Sequence, residues 1–271
     1  MRESAVLFGP TRSLVGVVTE PAAGSARPDA PAVLILNSGL VHRVGPKRLH
    51  VRLARRLAGL GFTCMRIDLS GIGDSRTSRS IETLYQRRLS EVREAMQHLR
   101  ENHDARHFLV AGNCSGALLS YLVALAEADV TAAALINPQD PRPLRYYLRL
   151  AFGHPAFWRR RARWDQWPGR IHDARKWFTR FRADPDRDPA PARGTPEELQ
   201  SLVERGVRIL VVNCEWDAGY DRFQVADRER LQALGNGRIV LASIPGSDHD
   251  FNLVCGQERL LDIVQRWAAS P

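Results

Sequence analysis

Short apolar runs alternate along this chain with longer stretches in which apolar residues recur every three or four positions. The runs are Ala32–Leu36, Phe62–Ile67, His107–Ala111, Ala132–Ile136, Val207–Val212 and Arg238–Ala242. The longer stretches lie at Lys47–Leu60, Ile81–Leu99, Ala117–Glu127, Arg222–Leu234 and Phe251–Trp267. The runs read as strands and the stretches as amphipathic helices; Leu49, Leu53, Leu57 and Leu60 mark one helical face. This succession predicts βαβ units and a mostly parallel sheet covered on both faces. Ahead of it, Ala5–Phe8 and Leu14–Thr19 form two consecutive short strands, an antiparallel entry into the sheet.

The alternation stops after Ile136. From Pro138 to about Arg205 no strand pattern appears, and Trp158, Trp164, Trp167 and Trp177 stand among many arginines. Within that region, Arg182–Pro196 is rich in Pro and Asp and reads as a loop. The expected organisation is an α/β core built from residues 1–137 and 206–271, interrupted late in the sheet by a helical, Arg/Trp-rich cap at 138–205.

Composition narrows the picture. A chain of 271 residues suits one large α/β unit, and 44% hydrophobic with 25% charged residues is ordinary for a soluble globular protein. No segment approaches the roughly 20 apolar residues of a membrane span, and the N-terminal apolar run is too short for a secretory signal. A cytoplasmic protein is therefore expected. Cys64, Cys114, Cys214 and Cys255 are widely spaced, without Cys-x-x-Cys pairs or histidines at zinc-finger spacing, so neither a disulfide framework nor a metal site is expected. No cofactor is implied. The net charge is +9, and the stretch Asp140–Arg193 alone carries fourteen Lys/Arg against six Asp. A basic, aromatic surface of that kind attracts anionic partners, although it is equally the composition of a solvated helical face. No nucleic-acid-binding motif accompanies it.

The candidate chemistry sits at strand ends. After the run ending at Ala111 comes Gly112-Asn113-Cys114-Ser115-Gly116, followed directly by a helix. A small residue two positions to either side of a central nucleophile, between a strand and a helix, is the pattern of a nucleophile elbow. The turn is so sharp that larger residues at the outer positions collide. Both outer positions are glycine when Cys114 is central, whereas centring on Ser115 puts Asn113 in one of them. A helix N-terminus beneath a thiol also favours its ionised form. Downstream, the run ending at Val212 leads into Cys214-Glu215-Trp216-Asp217, and the last run leads into Pro245-Gly246-Ser247-Asp248-His249. Asp217 orienting His249, and His249 taking the thiol proton, completes a Cys–His–Asp arrangement. Glu215, Asp221 and Asp140 are the substitute acids.

With these features in place, the chain resembles the α/β-hydrolase superfamily over nearly its whole length outside the cap. Nucleophile, acid and histidine follow one another in the order that family uses. Asn37-Ser38-Gly39-Leu40 is similar to its His-Gly-x loop, with Ser38 in place of the histidine. Asp68-Leu69-Ser70-Gly71-Ile72-Gly73-Asp74-Ser75 resembles its Asp-x-x-Gly-x-Gly-x-Ser loop. The resemblance implies an α/β-hydrolase fold and an oxyanion hole made by the N–H groups of Leu40 and Ser115. His42 and Arg43, next to that hole, are candidate substrate contacts or fix the loop. The segment Asn37–Leu49, the Cys-Ser-Gly elbow, and the cap runs Tyr146–Arg149 and Phe157–Arg160 look similar to a cysteine-nucleophile subgroup. Its members are hydrolase-like proteins found near exosortase, exopolysaccharide and natural-product biosynthesis genes. Dienelactone hydrolases also carry an elbow cysteine, but nothing else here points specifically to them.

A thiol at the elbow suits acyl exchange between thioesters, because the acyl group stays activated. The expectation is a thioesterase, esterase or acyltransferase working through an acyl-Cys114 intermediate. Its acyl substrate would be carried on an acyl-carrier protein or coenzyme A. The alternatives are a lyase on the same fold and a non-catalytic protein that binds an acidic carrier partner.

Overall fold

The computed structural model describes residues 1–78, 82–138, 196–215, 217 and 219–270. Eight strands are present: β1 Arg2–Phe8, β2 Leu14–Glu20, β3 Ala32–Leu36, β4 Cys64–Asp68, β5 Phe108–Asn113, β6 Val130–Ile136, β7 Arg208–Cys214 and β8 Ile239–Ile244. They form one sheet in the order β1-β2-β4-β3-β5-β6-β7-β8. The β1–β2 and β2–β4 pairs are antiparallel, and every pair from β4 to β8 is parallel.

Period-two patterning explains why both faces are covered. In β3, Val33 and Ile35 join one core with Cys64 of β4, while Leu34 and Leu36 join the other with Met65 and Ile67. Helices α1 (Leu49–Gly59) and α6 (Val254–Ala269) close the first face through Leu53, Leu57, Leu260 and Val264. Helices α2 (Leu84–His103), α3 (Ser115–Ala126), α4 (Pro196–Glu204) and α5 (Arg228–Gly235) contribute to the second. This is the α/β-hydrolase architecture expected from the sequence. Among the described residues, no helix is long and apolar enough to cross a membrane.

Three element boundaries differ from the periodicity reading. Helix α2 begins at Leu84 because Thr83 caps it, exchanging bonds with Gln86 in a capping box, and it runs on to His103. The stretch read as one helix from Arg222 is broken in two. A π-helical turn, Asp221–Ala226, precedes α5, and Gln224 in it donates to Asn213 Oδ1 (3.2 Å) and to the Ala242 carbonyl (3.0 Å). Within the stretch assigned to the cap, residues 196–204 form α4, whose Leu202 is fully buried against the sheet. Tyr121 of α3 donates to Glu198 of α4 at 2.9 Å. The remainder of the cap, from 139 to 195, lies outside the described residues, as do its tryptophans and the candidate acid Asp140.

Candidate active site

The sheet order places the ends of β3, β5, β6, β7 and β8 side by side, and the candidate residues all follow those ends. Cys114 lies between β5 and α3 with φ 59° and ψ −118°, a conformation L residues rarely adopt. Such strain costs about 1–3 kcal/mol and persists only where the surroundings impose it. Here the Cys114 amide donates to the Ile136 carbonyl (2.9 Å), and its own carbonyl accepts from Ala117 (3.1 Å). The flanking glycines make the turn sterically feasible. A Cβ on Gly112 would stand 2.3 Å from the backbone of Gly116, and one on Gly116 would stand 2.5 Å from the Asn37 carbonyl oxygen. The thiol is half-buried at the N-terminus of α3, which has no acidic residue in its first turn to compete for the helix dipole.

Asp217 and His249 are brought to this point from two loops. Asp217 Oδ2 lies 2.5 Å from His249 Nδ1, while its other oxygen accepts from the Gly219 amide at 3.0 Å. His249 also lies within hydrogen-bonding reach of the Cys114 thiol. The hydrogen bond to Asp217 is the largest influence on the imidazole and the contact with Cys114 the next. Together they outweigh burial and push its pKa up to about 10. The three side chains therefore form one continuous chain from thiol to carboxylate. Of the substitute acids, Glu215 is turned to the Gly246 amide (2.9 Å), tying the two loops together. Asp221 falls within the π-helical turn.

The remaining candidates cluster at the end of β3. The Val41 amide donates to the Ser38 carbonyl (2.9 Å), closing a tight turn with Gly39 and Leu40 at its corner. Gly39 has φ 58°, and an added Cβ would meet nothing, so backbone conformation rather than space calls for glycine. The Gly39 amide donates to Ser115 Oγ at 2.8 Å, which ties the turn to the first residue of α3. His42 is exposed. The Arg43 guanidinium pairs with Asp68 (2.5 Å) and Asp74 (2.7 Å). Asp68 is the last residue of β4, and Asp74 lies in the loop after it.

Sequence reasoning missed Asn137, which is fully buried with φ 43° immediately after β6. Its Oδ1 accepts from the Cys214 amide (2.7 Å), and its Nδ2 donates to the His249 carbonyl (3.1 Å). One side chain thus holds the loops that carry Asp217 and His249. The only signal in the sequence is an Asn-Pro step closing an apolar strand, which otherwise reads as a turn.

Comparisons with known proteins agree with this architecture. The profile of the alpha/beta hydrolase family matches residues 18–262. Among solved structures, a lid-less α/β serine hydrolase from Xanthomonas campestris superimposes with TM-score 0.57 at 18% identity, covering 100% of this chain and 97% of its own. An esterase from Pyrococcus furiosus gives TM-score 0.61 at 13% identity, covering 98% and 90%. A dienelactone hydrolase from Anabaena variabilis gives 0.57 at 16%, covering 98% and 96%. At these identities the likeness is one of fold. No curated protein matches the sequence. With the profile spanning nearly the whole chain, the protein belongs to the alpha/beta hydrolase family.

Proposed function

We propose that the protein is an acyl-processing enzyme, a thioesterase, esterase or acyltransferase, that works through a thioester on Cys114. The observation that carries this reading is the unbroken contact from Cys114 through His249 to Asp217 at an elbow whose φ is positive. A thiol at a helix N-terminus beside an imidazole braced by Asp217 favours a thiolate–imidazolium pair. The thiolate attacks the acyl carbonyl, forming the Sγ–C bond. The oxyanion accepts hydrogen bonds from the Leu40 and Ser115 amides. As the intermediate collapses, the donor's C–S or C–O bond breaks, and His249 passes its proton to the leaving thiolate or alkoxide. Water or an acceptor nucleophile then gives a proton back to His249 and takes the acyl group, freeing the thiol.

A donor carried on a thiol is the best chemical match, because exchange between thioesters is nearly balanced in energy. The surplus of fourteen Lys/Arg over six Asp between Asp140 and Arg193 suits the anionic carriers that present such donors, acyl-carrier proteins and coenzyme A. The subgroup resemblance adds a biosynthetic setting. The test is a series of short acyl thioesters with the released thiol followed by a colour reagent. Thiol release that vanishes in Cys114→Ala is the expected result. Release that persists in that variant, or an alkene product formed without acyl transfer, overturns the reading.

A further inference from the structure

We propose that Arg43 is a positioning residue for acyl transfer, holding the Leu40 amide in register with the elbow through its buried pairing with Asp68. The inference rests on the reaction proposed above and names what sets the geometry of its oxyanion hole.

Leu40 is 86% exposed, so packing of its own side chain does not fix the amide it carries. The turn must be held from its ends. At the elbow side, Gly39 is tethered to Ser115 Oγ. On the other side, four hydrogen bonds converge on Asp68, whose side chain is fully buried. Asp68 Oδ1 accepts from the Arg43 amide (2.5 Å) and from Asn37 Nδ2 (3.4 Å). Its Oδ2 accepts from Arg43 Nη1 (2.5 Å) and from the Asp74 amide (3.2 Å). Asn37 extends the network, donating to the Val41 carbonyl (3.0 Å) and accepting from the Leu69 amide (2.9 Å). The turn that carries Leu40 is thus framed by Asn37 and Arg43, both bonded to one carboxylate. Without the guanidinium, Asp68 becomes a buried charge lacking its cation, and the loops on either side must move to admit water or a proton. An oxyanion donor tolerates little such movement.

A purely structural role and a positioning role separate when two reactions of the same thiol are compared. Acylation by an acetyl thioester develops an oxyanion at the hole, whereas alkylation by iodoacetamide displaces iodide and develops none. In Arg43→Ala the second-order rate of Cys114 acylation should fall about 10- to 100-fold, the scale of an ångström-sized misplacement, with the alkylation rate unchanged. If Arg43→Ala does not fold, Arg43→Gln keeps a polar head but removes the cation from Asp68, and its acylation-to-alkylation ratio should still fall. A ratio equal to wild type in the folded variant overturns the proposal, and so do two rates that fall in parallel. Wild-type protein that iodoacetamide alkylates at Cys114 but no thioester acylates removes the proposed function itself. Normal wild-type acylation with an unchanged ratio in the variant removes only the role of Arg43.

Discussion

His50 and His249 belong to the same core unit, and their surroundings drive them in opposite directions. His50, in the first turn of α1, is 2% exposed, and neither ring nitrogen has a hydrogen-bond partner among the described residues. Burial first and the Arg66 charge second hold its pKa down to about 4. His249 is also shielded, but Asp217 on one side and Cys114 on the other push it up to about 10. Burial alone makes a histidine a neutral core residue. Burial with two ionisable partners favours its charged form instead. The strand ends decide which occurs, because they alone bring residues from separate loops to one point.

The widest gap between the two histidines should appear in activity. Asp217→Asn leaves a ring without its carboxylate, and turnover of an acyl donor should fall on the order of 10³- to 10⁴-fold. His50→Leu should leave turnover within the error of a steady-state assay. A smaller effect is expected on the thiol itself. On the proposed thiolate–imidazolium pair, alkylation of Cys114 by iodoacetamide at pH 6.5 should slow about 10- to 100-fold in His249→Ala, where an ordinary thiol titrates near 8.5. A pH–rate profile that is flat through neutrality in wild type and rises with pH in the variant is the signature.

Stability sharpens the same contrast, with opposite signs. His50 stays neutral in the folded chain down to about 4, while the unfolded chain takes up its proton near 6.5. Its contribution is complete above that range and is lost as pH falls through it. Between pH 7 and pH 4.5 this loss amounts to about 2 kcal/mol. Urea unfolding of His50→Leu should show a correspondingly shallower decline with acid than wild type. For His249 the folded value is raised, so its contribution is present below about 6.5 and is lost as pH rises towards about 10. The smallest expected effect is that of Asn137→Ala, which leaves the Cys214 amide and His249 carbonyl without a partner. It should lower stability by about 1–2 kcal/mol in the same urea assay.

How much of this was legible depended on whether the signal was local. The elbow could be read because the collision at Gly112 is set within five residues, a Cβ there standing 2.3 Å from the Gly116 backbone, although the 2.5 Å limit at Gly116 comes from the distant Asn37 carbonyl. Asp217 and His249 could be read from their place after the last two strands. The strand runs were legible because both faces are buried, which makes each run apolar throughout. Arg43 and Asp68 were harder, since their pairing joins loops after different strands, and nothing in either segment names the other. Asn137 was invisible for the same reason. The break at Asp227 was hidden because Gln224 answers to Asn213 and Ala242 across space, overriding a continuous helical period.

The central claim is that Cys114 carries the acyl group, and trapping that group is its most direct test. Wild-type protein is incubated briefly with a short acyl thioester, quenched in acid, digested and weighed by mass spectrometry. The account predicts one added acyl mass on the peptide containing Cys114, absent in Cys114→Ala and strongly reduced in His249→Ala. An adduct that persists in Cys114→Ala, or one that falls on the exposed Cys255 instead, would contradict it.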